Sequence, residues 1–190
     1  MIITKIFRFE GAHIVRGCSS VRCRENIHGH SYRVEVSLSS DKLDNGFMVM
    51  DFSLLSKVKE LVDSFDHSYS VWDQESDSFM KMVDSFNKRH VTMPISPSAE
   101  GYALLFFYVI DKVIQNTIFA NNEGNVQLHS VKVHETETGS ATCFASDLDM
   151  VFFSLTDLKF SKGVQSEWKS PQWWQDLLAH RSYVNETPKA

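Results

Sequence analysis

Residues 28–38 read "HGHSYRVEVSL", and this stretch decides how the chain folds. His28, His30, Tyr32, Val34, Val36 and Leu38 fall on one side of an extended backbone. Gly29, Ser31, Arg33, Glu35 and Ser37 fall on the other. Strict period-two alternation predicts a β-strand with one buried face. Side chains two apart on a strand point the same way, so His28 and His30 project side by side. Gly29 leaves the opposite face bare between them. Catalytic zinc usually takes three protein ligands and keeps one position open. His13, just beyond an Ile- and Phe-rich strand over residues 2–9, can supply a third imidazole if the two strands pair as antiparallel neighbours. Histidines two apart also occur on strands that bind nothing, so spacing alone leaves both readings open.

Working outward, "DNG" at 44–46 is a turn, and "FMVMDF" at 47–52 is expected to continue in extended form. Asp51 then reads as a helix cap. Leu54, Leu55, Val58, Leu61, Val62 and Phe65 follow at helical spacing, ending near Asp66–His67. Residues 76–90 suggest a second helix. "ISPSAEG" at 95–101 offers Ser96 as N-cap and Pro97 as first helical residue. The apolar helix that follows, to about residue 118, is expected to be buried on more than one side. Residues 126–135 and 141–155 read as strands. The order strand, strand, helix, helix, strand, strand predicts an α+β fold with an antiparallel sheet. Residues 156–190 differ in character. "SPQWWQDLLAHR" at 170–181 reads as a short helix with Trp173, Trp174, Leu177 and Leu178 on its apolar side, and the last residues are expected to fray.

Bulk properties narrow the function. The 190 residues suffice for a core without disulfide support, and 43% apolar with 23% charged residues is the composition of a globular protein. A net charge of −5 disfavours a general nucleic-acid partner. The longest apolar run, "YALLFFYVI" at 102–110, is too short to span a bilayer, and "MIITKIFRFE" lacks the features of a signal peptide. Three cysteines, Cys18, Cys23 and Cys143, suggest free thiols in a reducing, cytoplasmic setting.

Other residues around the histidines have chemical potential. Cys23 lies among Arg16, Arg22, Arg24 and Arg33, and neighbouring positive charge favours a thiolate. Most free cysteines are simply small buried hydrophobes. The arginines suit an anionic, phosphorylated ligand, or equally a solvated loop. Asp66 beside His67 can orient an imidazole for proton transfer, although such dipeptides are common on surfaces. Glu135 closes a strand before a turn.

Taken together, "FEGAH" at 9–13, Cys23 before "HGHSY" at 28–32, "DH" at 66–67, "PSAE" at 97–100 and "HETETG" at 134–139 resemble the 6-pyruvoyl-tetrahydropterin synthase family, most like its bacterial 6-carboxy-5,6,7,8-tetrahydropterin synthase branch. The resemblance covers roughly residues 1–147. It implies a T-fold (tunnelling fold), ββααββ with helices on one face of the sheet. It also implies a homo-oligomeric barrel with active sites between subunits. It implies one Zn2+ per subunit on His13, His28 and His30, catalytic roles for Cys23, Asp66 and His67, and a pterin anchor at Glu135. Ser98 and Glu100 of the "PSAE" motif are expected to bind substrate. The implied substrate is a pterin triphosphate of the queuosine pathway, 7,8-dihydroneopterin triphosphate. This sequence departs from the family pattern in the Cys23–His28 spacing, which keeps Cys18 as a second candidate thiol. Gly101 stands where Asn is frequent, and residues 68–96 form an enlarged insertion. A C-terminal extension, 148–190, lies outside the resemblance and is a candidate cover for a neighbouring subunit.

Overall fold

The computed structural model describes residues 1–184. Strands β1 (Ile2–His13) and β2 (His28–Ser39) pair antiparallel from Ile2↔Ser39 to His13↔His28, as the alternation predicts. Between them the chain makes one short helix, α1 (Val21–Glu25). Strand β1 is paired on its other side only at Gly11–His13, by β3 (Ser68–Trp72), and this pairing is parallel. Helix α2 (Ser56–Asp63) lies between β2 and β3 in the chain. Helix α3 (Asp77–Phe86) then crosses over to β4 (His90–Met93), which joins β3 in parallel.

Next comes the central helix, α4 (Ala99–Gln115), followed by the short β5 (Thr117–Ile118). Strands β6 (Gln127–His134) and β7 (Ser140–Cys143) extend the sheet antiparallel beyond β2. Past them, β8 (Lys159–Phe160) closes the far edge against β4. The sheet order is β7-β6-β2-β1-β3-β4-β8.

The inner face of β1 and β2 presents Phe9, Tyr32, Val34, Val36 and Leu38 to the core. Phe9 stacks on Tyr32 at 4.5 Å and meets Phe65, Tyr102 and Phe106, so the chain just past α2 and the N-terminal half of α4 lie against this face. Helix α4 buries Tyr102, Ala103, Leu105, Phe106, Phe107, Val109, Ile110 and Val113, more than one stripe, as its apolar sequence requires. Each fully buried aromatic or leucine contributes about 2–3 kcal/mol.

Several expectations need correction. The sheet is mixed, not antiparallel. Closeness in sequence argues only for the β1–β2 hairpin, whereas β3-α3-β4 is a helical crossover unit that permits parallel pairing. "SYSVW" gave no warning because four of its five residues are buried and show no alternation. The helices are not confined to one face either. Phe79, Met80 and Val83 of α3 pack with Ala12, Ile14, Tyr69 and Val71 in a separate cluster on the other side. "FMVMDF" forms no strand. Asp44 gathers the N–H groups of Gly46 and Met48 into a turn, and Asp51 caps a 3-10 turn, Phe52–Leu55, leading into α2. Ser98, not Ser96, caps α4, accepting from the Gly101 N–H at 3.1 Å. The strand expected over 141–155 ends at Cys143, and 3-10 turns follow at Ala145–Met150 and Leu155–Asp157.

Residues between 155 and 178 pack into the same core. Phe160, Val164, Trp168, Trp173, Trp174 and Leu177 are buried, and Leu178 is partly so. They come from β8, helix α5 (Lys162–Gln165), helix α6 (Trp173–Leu178) and, for Trp168, the link between the two helices. Trp168 Nε1 donates to Ser64 Oγ at 2.9 Å, tying this segment to the end of α2. The last described element, β9 (Tyr183–Val184), pairs with β5. The end expected to fray, 185–190, lies outside the described residues.

Candidate metal centre

The β1–β2 register builds the centre. His13 sits opposite His28, and Gly11 opposite His30. Gly29 is needed for this approach, because a Cβ there would lie 2.8 Å from the Gly11 carbonyl oxygen. The rings of His13 and His28 are 4.4 Å apart, and each is 5.3 Å from His30. One nitrogen from each ring falls within 4.8 Å of the others, so the three histidines can hold a metal ion together.

Two of the rings are already oriented for that task. A carbonyl can only accept, so His13 Nδ1–H donates to the Pro97 carbonyl at 2.5 Å and His28 Nδ1–H to the Asn26 carbonyl at 3.0 Å. Each bond leaves Nε2 as the lone-pair atom, the arrangement by which neighbouring groups fix the tautomer of metal-binding histidines. Pro97 can serve because it precedes α4 instead of opening it, and its carbonyl faces the ring. Burial lowers the His13 pKa to about 4, with His28 and His30 adding to the effect and the Pro97 carbonyl opposing it. The ring is therefore a neutral ligand at neutral pH.

Around the triad, Glu135 Oε1 lies 3.7 Å from His13 Nε2 and 4.0 Å from His30 Nε2. The Tyr32 hydroxyl lies 3.3 Å from His13 Nε2. Burial, then Tyr102 and Glu135, push the Tyr32 pKa far up, so it stays a protonated donor. Tyr32 went unnoticed as a site residue, although it is third in the His28–His30–Tyr32 series on one strand face.

The other expected residues are distributed differently. Cys23 is half-buried in α1, and its carbonyl accepts from Val15 N–H at 3.0 Å, which holds α1 against the chain just past His13. The neighbouring arginines do not converge on one open site. Arg16 pairs with Glu75, Arg24 with Glu25 and the Cys18 carbonyl, and Arg33 with Glu35 and His134.

Asp66 and His67 lie on the outer face. His67 Nδ1 meets Asp66 Oδ2 at 2.9 Å. Burial raises the Asp66 pKa, but the Glu10 N–H, His67 and Arg89 outweigh it and hold the carboxyl below its ordinary value. His67 borders an open cleft of about 440 Å³ with Glu10, Ala12, Ser31 and Tyr69, and His30 of the triad reaches the same cleft. Among the described residues, no hydrogen bond or ion pair joins Asp66 or His67 to the three histidines.

Ser98 and Glu100 border another cleft, of about 490 Å³, with Trp72, Ile95 and Phe152. Gly101 is explained by crowding, since a Cβ there would fall 2.1 Å from the Ser96 carbonyl oxygen.

A histidine triad placed to hold a metal ion, on paired strands of a large α+β sheet, defines the class to which this architecture belongs. The family model for 6-pyruvoyl tetrahydropterin synthase matches residues 2–146, and the chain belongs to that family. The 6-carboxy-5,6,7,8-tetrahydropterin synthase of Helicobacter pylori strain J99 is 40% identical over 184 residues, covering 94% of this chain and 92% of that protein. The synthase of the same description from Aquifex aeolicus is 31% identical, covering 73% of this chain and 94% of its own length. Among solved structures, an uncharacterised Wolinella succinogenes protein superposes with a TM-score of 0.60 at 21% identity, covering 76% of this chain and 98% of that one. The 6-pyruvoyl tetrahydropterin synthase of Caenorhabditis elegans gives 0.53 at 20% identity, covering 76% and 95%. Among the described residues, no helix is long and apolar enough to cross a membrane.

Proposed function

We propose that this chain is a zinc-dependent lyase that converts 7,8-dihydroneopterin triphosphate and one water to 6-carboxy-5,6,7,8-tetrahydropterin, releasing triphosphate and acetaldehyde. The observation that carries this reading is the 40% identity to the Helicobacter synthase across nearly the whole of both chains. The donor set agrees with it, because three imidazoles with one position left open suit zinc.

Zinc bound there would act as a Lewis acid toward the side-chain hydroxyls of the substrate. The chain's own residues do the rest. The Glu135 carboxylate accepts hydrogen bonds from the amino group and ring N–H of the pterin and so orients it beside the histidines. Cys23 takes a proton from the substrate side chain, and His67, oriented by Asp66, returns one.

The histidine triad faces inward while Asp66–His67 faces outward. On this reading a complete site takes its triad from one subunit and the pair from another. This requires a homo-oligomer, and closure of the sheets into a barrel meets the requirement while covering the free edge of β1.

Product analysis tests the reaction. Zinc-loaded protein given 7,8-dihydroneopterin triphosphate should yield the carboxylated pterin and acetaldehyde by mass spectrometry. A pyruvoyl product would keep the site and change the reaction; absence of both products would remove the enzyme reading. Cys23→Ala should retain zinc and fold while turnover falls at least about 100-fold. Normal turnover in that variant would move the thiol role to Cys18.

A further inference from the structure

The turn that carries the Asp66–His67 pair is held in a conformation that L-residues resist. His67 sits at φ 50°, in the left-handed region. Such a residue persists only where its surroundings over-determine it.

Two sets of bonds do so here. From β1, the Glu10 N–H donates to Asp66 Oδ1 at 2.8 Å, and the Glu10 carbonyl accepts from the His67 N–H at 2.7 Å. From the start of β4, Arg89 reaches back over the turn. Its Nε and Nη2 donate to the Asp66 carbonyl at 3.2 and 2.9 Å, and Nη2 also donates to the Asp63 carbonyl at 3.1 Å. The Asp63 carbonyl ends α2 and the Asp66 carbonyl lies in the turn just past it, where a cation is favoured by the helix dipole. The guanidinium is itself aimed by the C-terminal segment, since Nη1 faces Glu167 Oε2 at 2.5 Å. Arg89 belongs to the 68–96 insertion, and Glu167 lies beyond residue 146, where the family match ends.

We propose that Arg89 is the positioning residue of the Asp66–His67 pair, closing the end of α2 and fixing the left-handed turn from which His67 projects into the outer cleft. This rests on the reading that the pair transfers protons. Arg89 does not touch the imidazole and acts through the backbone it binds. A planar fork spanning two carbonyls allows the turn one arrangement, whereas an ammonium on a flexible stem constrains it less. The insertion and the C-terminal segment thus acquire a shared purpose, to brace a catalytic turn that α2 alone leaves unfinished.

Arg89→Met keeps the aliphatic stem and removes the donors. In the full-length, metal-loaded enzyme, kcat should fall about 10- to 100-fold, as expected for misplacing a catalytic group by about 1 Å. KM and metal content should stay within about twofold, and amide hydrogen exchange over residues 63–68 should accelerate. Arg89→Lys should recover part of kcat and part of the protection. Glu167→Gln should cost only about two- to threefold, because its carboxylate is exposed.

Wild-type kcat and exchange in Arg89→Met, beside an inactive His67→Ala, would overturn the proposal and leave the catalytic reading standing. If Arg89→Met does not fold, unchanged exchange over 63–68 in both Arg89→Lys and Glu167→Gln overturns it instead. A His67→Ala enzyme that turns over normally removes the catalytic reading, and the proposal falls with it.

Discussion

The two faces of the sheet at the end of β1 are built by different means. On the inner face, His13, His28 and His30 are placed by strand register, backed by Tyr32, and two of them are oriented by main-chain carbonyls. On the outer face, Asp66 and His67 ride on a turn, and the His67 side chain is 77% exposed. The inner site is finished within one chain. The outer pair is exposed, and on the proposed reading it acts on substrate held by a second chain. A metal centre needs fixed donors before the metal arrives, whereas a proton carrier needs access.

The largest effect tests the inner face. His28→Ala removes one of three ligands from a half-buried position, so the fold should survive. Metal content should fall to near zero, and kcat/KM should drop about 1000-fold or more. Retention of stoichiometric metal, measured by atomic absorption, would show that the triad is not the binding set.

The outer face should respond differently. His67→Ala should keep its metal and lose about 100- to 10,000-fold in kcat. The comparison is broken or sharpened by mixing the two variants. Co-refolded His28→Ala and His67→Ala chains should regain activity if triad and pair come from different subunits. No regain in verified mixed oligomers would place both groups in one chain and contradict the division of faces.

A third effect follows from the burial of His13. Its folded pKa of about 4 lies below the ordinary 6.5. Below pH 6.5 the unfolded chain binds a proton that the folded chain refuses. The metal-free protein should therefore lose stability as pH falls from 6.5 toward 4, by about 2–3 kcal/mol from this group, and show no dependence on it above 6.5. Urea midpoints across that range measure the loss. A midpoint independent of pH would mean that His13 is not held neutral.

The inner face was legible in the sequence because β2 alternates cleanly and β1 returns beside it. That pattern fixed both the pairing and the direction of the histidines. The outer face was not. Asp66–His67 was visible as a dipeptide, but its side of the sheet depends on β3, whose uniform burial erases the alternation that marks a strand. Arg89 was unreadable for a related reason. It acts across 23 residues of sequence on carbonyls, and no residue pattern encodes a backbone acceptor. Helix starts failed on a smaller scale. "SPS" offers two serines, and the choice of Ser98 leaves the Pro97 carbonyl free for His13.

That choice yields the smallest prediction. The Ser98 hydroxyl is expected from the family resemblance to bind substrate, yet here it accepts the Gly101 N–H. A capping oxygen contributes about 1 kcal/mol to the helix it starts. Ser98→Ala should therefore lower stability by about that amount, and Ser98→Asp, which can also cap, should restore it. If capping is its whole part, KM for the pterin triphosphate stays unchanged in Ser98→Ala. A rise in KM of about tenfold or more, with stability unaltered, would give the hydroxyl to the substrate. Because α4 begins beside the carbonyl that orients His13, a third result is informative. Weaker metal binding in Ser98→Ala would show that the cap also fixes Pro97, and through it the register-built centre.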